Sequence, residues 1–109
     1  MRLGRVRTRA RFAALAATGR RARAGALRVT AVVGEPADLP CVAFAIGRAV
    51  GPAVVRNRIR RRLRAALTEL APAPGTYLVS VEPAAARRSY AELRDDLAAA
   101  FAQLTAVAA

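Results

Sequence analysis

Six arginines crowd into nine residues of the stretch Val50–Leu70: Arg56, Arg58, Arg60, Arg61, Arg62 and Arg64. A guanidinium carries a planar fork of donors that matches phosphate oxygens, and a flat cationic face that stacks on bases. Charge runs that merely face solvent tend to interleave both signs. Here no acid stands between Asp38 and Glu69, so local pairing is excluded. The chemistry this implies is capture of a polyanion.

Groups that make or break bonds are scarce. The chain has no histidine, so no side chain titrates near neutrality unperturbed. Ser80 and Ser89 have no identifiable base. Asp95 and Asp96 are adjacent, and a helix turns such neighbours about 100° apart, so they read as a solvated cap rather than a metal-binding pair. A protein nuclease needs metal-binding carboxylates in a basic cleft, whereas most acids here lie outside the basic part of the chain. The single Cys41, within the apolar run CVAFAI, reads as a small buried strand residue. One cysteine without histidine excludes a disulfide framework and argues against a zinc site.

The arginines need an element to hold them. Val55, Ile59, Leu63, Ala66, Leu67 and Leu70 recur at spacings of three and four, which predicts a helix with one apolar stripe. Gly51-Pro52 opens it and Pro72-Ala-Pro-Gly75 ends it. Arg56, Arg60 and Arg64 form one i,i+4 row and Arg58 with Arg62 another, Arg61 standing between them. Crowded like charge opposes an isolated helix, so the stripe must be held by a core while the outer face meets the polyanion.

Before this helix, Met1–Arg7 reads as a mobile basic arm, and Thr8 caps a short helix Arg9–Thr18 that Gly19 ends. Phe12, Leu15 and Ala16 share one face of it. Leu27–Val33 is a strand closed by Gly34-Glu-Pro36, and Pro40–Arg48 is a second. Val42, Phe44 and Ile46 point to one face of that strand, Cys41, Ala43 and Ala45 to the other. Thr76–Glu82 is a third strand. Ser89-Tyr-Ala-Glu92 is a capping box that opens a last helix, Tyr90–Val107, with Leu93, Leu97, Phe101 and Leu104 as its buried stripe. Strand, helix, strand is a crossover, so the second and third strands are expected to lie parallel and close.

At 109 residues the chain is expected to form a single domain, 1–109. Much of its 55% hydrophobic content is alanine, which predicts a core thin in large side chains. Net charge is +12 and unevenly spread. Residues 1–64 hold sixteen arginines against Glu35 and Asp38, a net +14, and residues 65–109 hold three against five acids, a net −2. Such a footprint belongs to nucleic-acid binders. No apolar run approaches the ~18 residues of a membrane span. The acid-free opening, rich in Arg and Ala, imitates an organelle transit peptide, but Leu27–Val33 continues it as a strand.

Ala53, Arg56-Asn57-Arg58, Ile59, Arg60-Arg61, Leu63 and Arg64 resemble the arginine-asparagine-arginine signature of the bacterial ribonuclease P protein subunit. Phe12 followed seven residues later by Gly19, the strand Cys41–Ile46 leading into Arg48-Ala-Val-Gly51, and the late strand with its closing helix resemble that family in order and spacing. The resemblance implies an α+β fold, a small two-layer α/β sandwich in the order helix, strands, helix, strand, helix, with the family's left-handed βαβ crossover against the usual right-handed rule. It also implies four strands, the fourth falling near Arg20–Ala24 or Glu35–Leu39.

The function implied is that of an accessory subunit. In that family an RNA subunit hydrolyses the phosphodiester with magnesium ions, removing the 5′ leader of precursor tRNA, while the protein binds RNA and leader. The protein itself would hold no cofactor and no catalytic residue. Its partners would be the catalytic RNA and precursor tRNA, in the cytoplasm, without membrane or DNA. By the resemblance, Arg56, Asn57, Arg58, Arg60, Arg61, Arg62 and Arg64 face the catalytic RNA. Phe12, Arg9, Arg48 and Phe44 are the leader candidates, with Val42, Phe44 and Ile46 belonging to cleft or core according to which sheet face is open. Two positions depart from the family: Gly47-Arg48-Ala49 stands where Ser-Lys-Lys is usual, and Ala16 where a second aromatic is common. A ribosomal-type structural RNA-binding protein shares the charge and size. A helix-turn-helix DNA-binding domain fits less well, because a strand rather than a helix precedes the arginine helix.

Overall fold

Alternating branched residues give the sheet its strands, and their register decides which face is buried. The computed structural model describes residues 3–5, 19–33 and 40–108. The expected first helix with Thr8, Arg9 and Phe12, and the Gly34-Glu-Pro36 turn, lie outside the described residues. The elements are β1 (Gly4–Arg5), β2 (Arg20–Ala24), β3 (Leu27–Val33), β4 (Pro40–Ile46), helix α1 (Ala53–Leu70), β5 (Gly75–Val81) and helix α2 (Tyr90–Ala108). Single 3₁₀ segments, Arg48–Val50 and Pro83–Arg87, lead into α1 and α2.

The sheet order is β1-β4-β5-β3-β2. β4 and β5 run parallel and β3 pairs antiparallel with β5, which aligns Val42, Tyr77 and Ala31 in one row, Phe44, Val79 and Val29 in the next, and Ile46, Val81 and Leu27 in a third. These rows join Ile59, Leu63 and Leu67 of α1 and Leu93, Leu97 and Leu104 of α2 in one core. Helix α2 packs on β2 and β3, while α1 lies against β4 and α2. The result is the expected two-layer α+β sandwich, with the crossover β4–α1–β5 linking adjacent parallel strands.

Of the two sites considered for a fourth strand, Arg20–Ala24 forms one, and Glu35–Leu39 lies outside the described residues. Arg20–Ala24 pairs with β3 through a two-residue turn, where Gly25 takes a φ of +54°. Two-residue hairpins need such a conformation, and glycine adopts it freely. A further short strand was not expected: Gly4 and Arg5, within the stretch Met1–Arg7 read as an arm, pair in parallel with Cys41 and Val42. Two residues carry no periodicity, so nothing in the sequence marks them.

Boundaries moved for local reasons. β4 ends at Ile46 instead of Arg48, because the chain turns at Gly47 and the Val50 N–H donates to the Gly47 carbonyl at 3.1 Å. β5 starts one residue early, at Gly75. Helix α1 closes on Ala71, whose φ of 51° is left-handed and whose N–H donates to Leu67 O at 2.9 Å. A glycine is usual there; alanine costs about 1–2 kcal/mol in that conformation. Tyr77 then pins the following loop, its hydroxyl donating to Ala73 O at 2.6 Å while burial pushes its pKa up.

Candidate nucleic-acid interface

Helix α1 buries the stripe read from its sequence. Ile59, Leu63, Ala66 and Leu67 are buried, and Val55 and Leu70 pack partly against the same core. A 3.6-residue period then puts Arg56, Arg60 and Arg64 on one flank of the stripe, Arg58 and Arg62 on the other, and Arg61 outermost. Arg58 and Arg61 are exposed; the other four are half-buried.

The arginine charges on this helix meet no carboxylate among the described residues. Among the described residues none of its six signature arginines forms an ion pair, because the described carboxylates are engaged elsewhere. Glu82 meets Arg23 at 2.9 Å and Arg28 at 3.3 Å. Glu92 and Asp96 meet Arg88, and Glu69 and Asp95 approach Arg94 at 3.9 Å. Every acid partner thus goes to an arginine outside the signature.

Neutral partners instead hold several of the guanidinium groups in place. Arg56 Nε donates to Gly51 O at 3.1 Å, and Arg60 Nη1 donates to Asn57 Oδ1 at 2.7 Å. Arg62 Nη1 reaches Arg88 O at 3.4 Å. The Arg64 guanidinium lies over the Phe44 ring, 5.9 Å from its centroid. Such contacts fix position without cancelling charge, which suits a surface prepared for an external anion. Asn57 therefore serves as a holder for Arg60, a role its sequence neighbourhood alone does not specify.

The leader candidates divide. Phe12 and Arg9 lie outside the described residues. Arg48 is exposed in the turn before α1, where its carbonyl accepts from the Gly51 N–H at 3.1 Å. This sets it at the same end of the helix as Arg56. Val42 and Ile46 are core residues, and Phe44 is half-buried on the same helix-covered face. The structure therefore joins Phe44 to the signature helix through Arg64.

One constellation escaped the sequence reading. Asp96, read as part of a solvated cap, is only 7% exposed, whereas Asp95 is exposed. The Asp96 carboxylate accepts from Arg88 Nη2 at 2.6 Å and Nε at 3.1 Å, and from the Ala26 N–H at 3.3 Å. Its signal was hidden because Arg88 and Ala26 come from different parts of the chain. The capping box did form as read: Ser89 N–H donates to Glu92 Oε1 at 2.9 Å and Glu92 N–H to Ser89 Oγ at 3.1 Å. The Ser89 N–H first, and Arg88 second, hold the Glu92 carboxyl below the usual carboxylate range. Asp96 raises the Arg88 pKa in the same way, through its hydrogen bond first.

The chain has recognisable relatives. The family model for ribonuclease P matches residues 1–105. The ribonuclease P protein component of a Nocardioides species is 44% identical over 98 residues, covering 85% of this chain and 84% of that protein. That of Thermobifida fusca is 38% identical over 113 residues, covering 93% and 76%. In fold, a Staphylococcus aureus RNase P protein mutant with defective mRNA degradation activity superposes with a TM-score of 0.83 at 17% identity, over 93% of this chain and 87% of that one. The RNase P protein from Thermotoga maritima gives 0.72 at 18% identity, over 85% and 90%. With both sequence and fold matched across most of its length, the chain belongs to the bacterial ribonuclease P protein family, and is a protein subunit of ribonuclease P.

Proposed function

We propose that α1 and the turn before it bind the RNA subunit of ribonuclease P, and that this RNA, not the protein, cleaves precursor tRNA in the cytoplasm. The observation that carries the reading is the set of α1 arginines, held by neutral partners and left without carboxylates among the described residues. Arg56, Arg58, Arg60, Arg61 and Arg64 would meet the RNA directly, with Asn57 orienting Arg60 and Arg62 also bracing α1 against Arg88. Each phosphate neutralised releases counterions, so affinity should fall steeply with salt. Magnesium would arrive through the RNA, whose phosphates provide the hard oxygen ligands it prefers.

The 5′ leader is assigned to Phe12, Arg9 and Arg48, one aromatic face and two cations. A cationic groove for the backbone with an aromatic face for the bases is the pairing that single strands use. The exposed position of Arg48 beside the α1 N-terminus supports its share in this. The direct test is leader removal from precursor tRNA in magnesium buffer. Protein alone should give no cleavage, and adding the cognate RNA should give turnover. Protein-only cleavage that survives ribonuclease treatment and repurification would overturn the assignment of catalysis to RNA.

A further inference from the structure

Arg56, Arg60 and Arg64 form a row along one flank of α1, its members about 6 Å apart along the axis. Two of them are held by oxygen acceptors, Gly51 O and Asn57 Oδ1. The third is held differently. Its guanidinium carbon lies 5.9 Å from the Phe44 centroid, and its half-exposed side chain has no ion pair among the described residues. The ring under it is fixed: Phe44 pairs in register with Val79, which is fully buried, and stands between the core residues Val42 and Ile46. A close-packed core leaves such a ring little freedom to swing away.

The Arg64 guanidinium stands over the Phe44 ring, its carbon 5.9 Å from the centroid, and the two half-exposed side chains offer a cation and an aromatic ring together. That combination suits a π-system. We infer that Phe44 and Arg64 form a stacking plate for one unpaired nucleobase of the RNA bound by α1, separate from the phosphate contacts of Arg58 and Arg61. The inference rests on the reading of α1 as the RNA-binding helix and adds a base-contacting site to it.

A base contact and a phosphate contact differ in their dependence on salt. Losing a stacked base lowers affinity without altering counterion release, whereas losing a phosphate contact lowers the slope of log K against log salt by about 0.7–0.9. The experiment measures binding of the full-length protein to transcribed ribonuclease P RNA from the same organism, across a salt series. It compares the wild type with Arg64→Ala, Phe44→Leu and Arg58→Ala, with melting temperature as a control. Arg64→Ala and Phe44→Leu should each raise Kd by about 5–100-fold, the range of one base–aromatic stack, with the wild-type slope retained. Arg58→Ala should reduce the slope. A reduced slope for Arg64→Ala, or a Kd within twofold of wild type, would overturn the plate while leaving α1 as the interface. Should Phe44→Leu lower the melting temperature, Arg64→Ala decides alone. Salt-independent wild-type binding, unaffected by Arg58→Ala, would instead remove the RNA-binding reading beneath it.

Discussion

The Asp96 carboxylate holds three donors from two separate parts of the chain: two on Arg88 and the Ala26 N–H in the β2–β3 turn. A Cβ at Gly25 would collide with this carboxylate, so the turn, its positive φ and the ion pair are mutually dependent. Arg88 in turn offers its carbonyl to Arg62. A single buried acid thereby ties the hairpin to α2 and braces the signature helix. Breaking a fully buried pair costs about 3–5 kcal/mol, but the Arg88 side chain is 30% exposed. Asp96→Ala should therefore cost about 2–3 kcal/mol in urea unfolding. RNA affinity of the folded fraction should stay within a few-fold of wild type. A neutral effect on stability would mean that solvent replaces the pair freely. The same geometry makes Arg88 a poor surface control for RNA-binding substitutions, although its place outside the signature suggests otherwise.

At the scale of elements, α2 starts with a reciprocal cap whose carboxyl is held below its ordinary pKa. A depressed folded-state pKa contributes stability that is complete above the unfolded value and is lost as pH falls through the folded one. The melting-temperature gap between wild type and Glu92→Gln should thus be constant near neutrality and shrink below the usual carboxylate range. A gap that does not vary with pH would show that the cap works without its charge. The cap was legible in the sequence because all its atoms come from Ser89 to Glu92. Helix α1 was legible for a related reason: Ile59, Leu63 and Leu67 contrast sharply with the arginines around them. What could not be read depended on distant partners or on pieces too short for a pattern. β1 is two residues long, Ala71 takes a conformation that favours glycine, and the contact of Phe44 with Arg64 exists only once β4 and α1 are packed. The arginine surface was visible from spacing, whereas its division into exposed, braced and ring-mounted members was not.

At the scale of the molecule, charge is sorted before any RNA arrives. Residues 1–64 carry a net +14 and residues 65–109 a net −2, and the acids of the second part are spent on Arg23, Arg28, Arg88 and Arg94. Among the described residues the ion pairs thus go selectively to arginines outside α1. Self-repulsion of the arginine surface opposes compaction, and a bound polyanion relieves it. Two double variants remove equal charge from different places: Arg58→Ala/Arg61→Ala on the signature helix, and Arg87→Ala/Arg94→Ala outside it. The decisive measurement is their Kd for the ribonuclease P RNA at one salt concentration, beside the wild type. Loss of two exposed phosphate contacts, at about 0.7–1.4 kcal/mol each, predicts about 10–100-fold weaker binding for the first pair and a change within threefold for the second. Equal losses from the two pairs would contradict the account, since binding would then follow net charge and not the arginine face of α1.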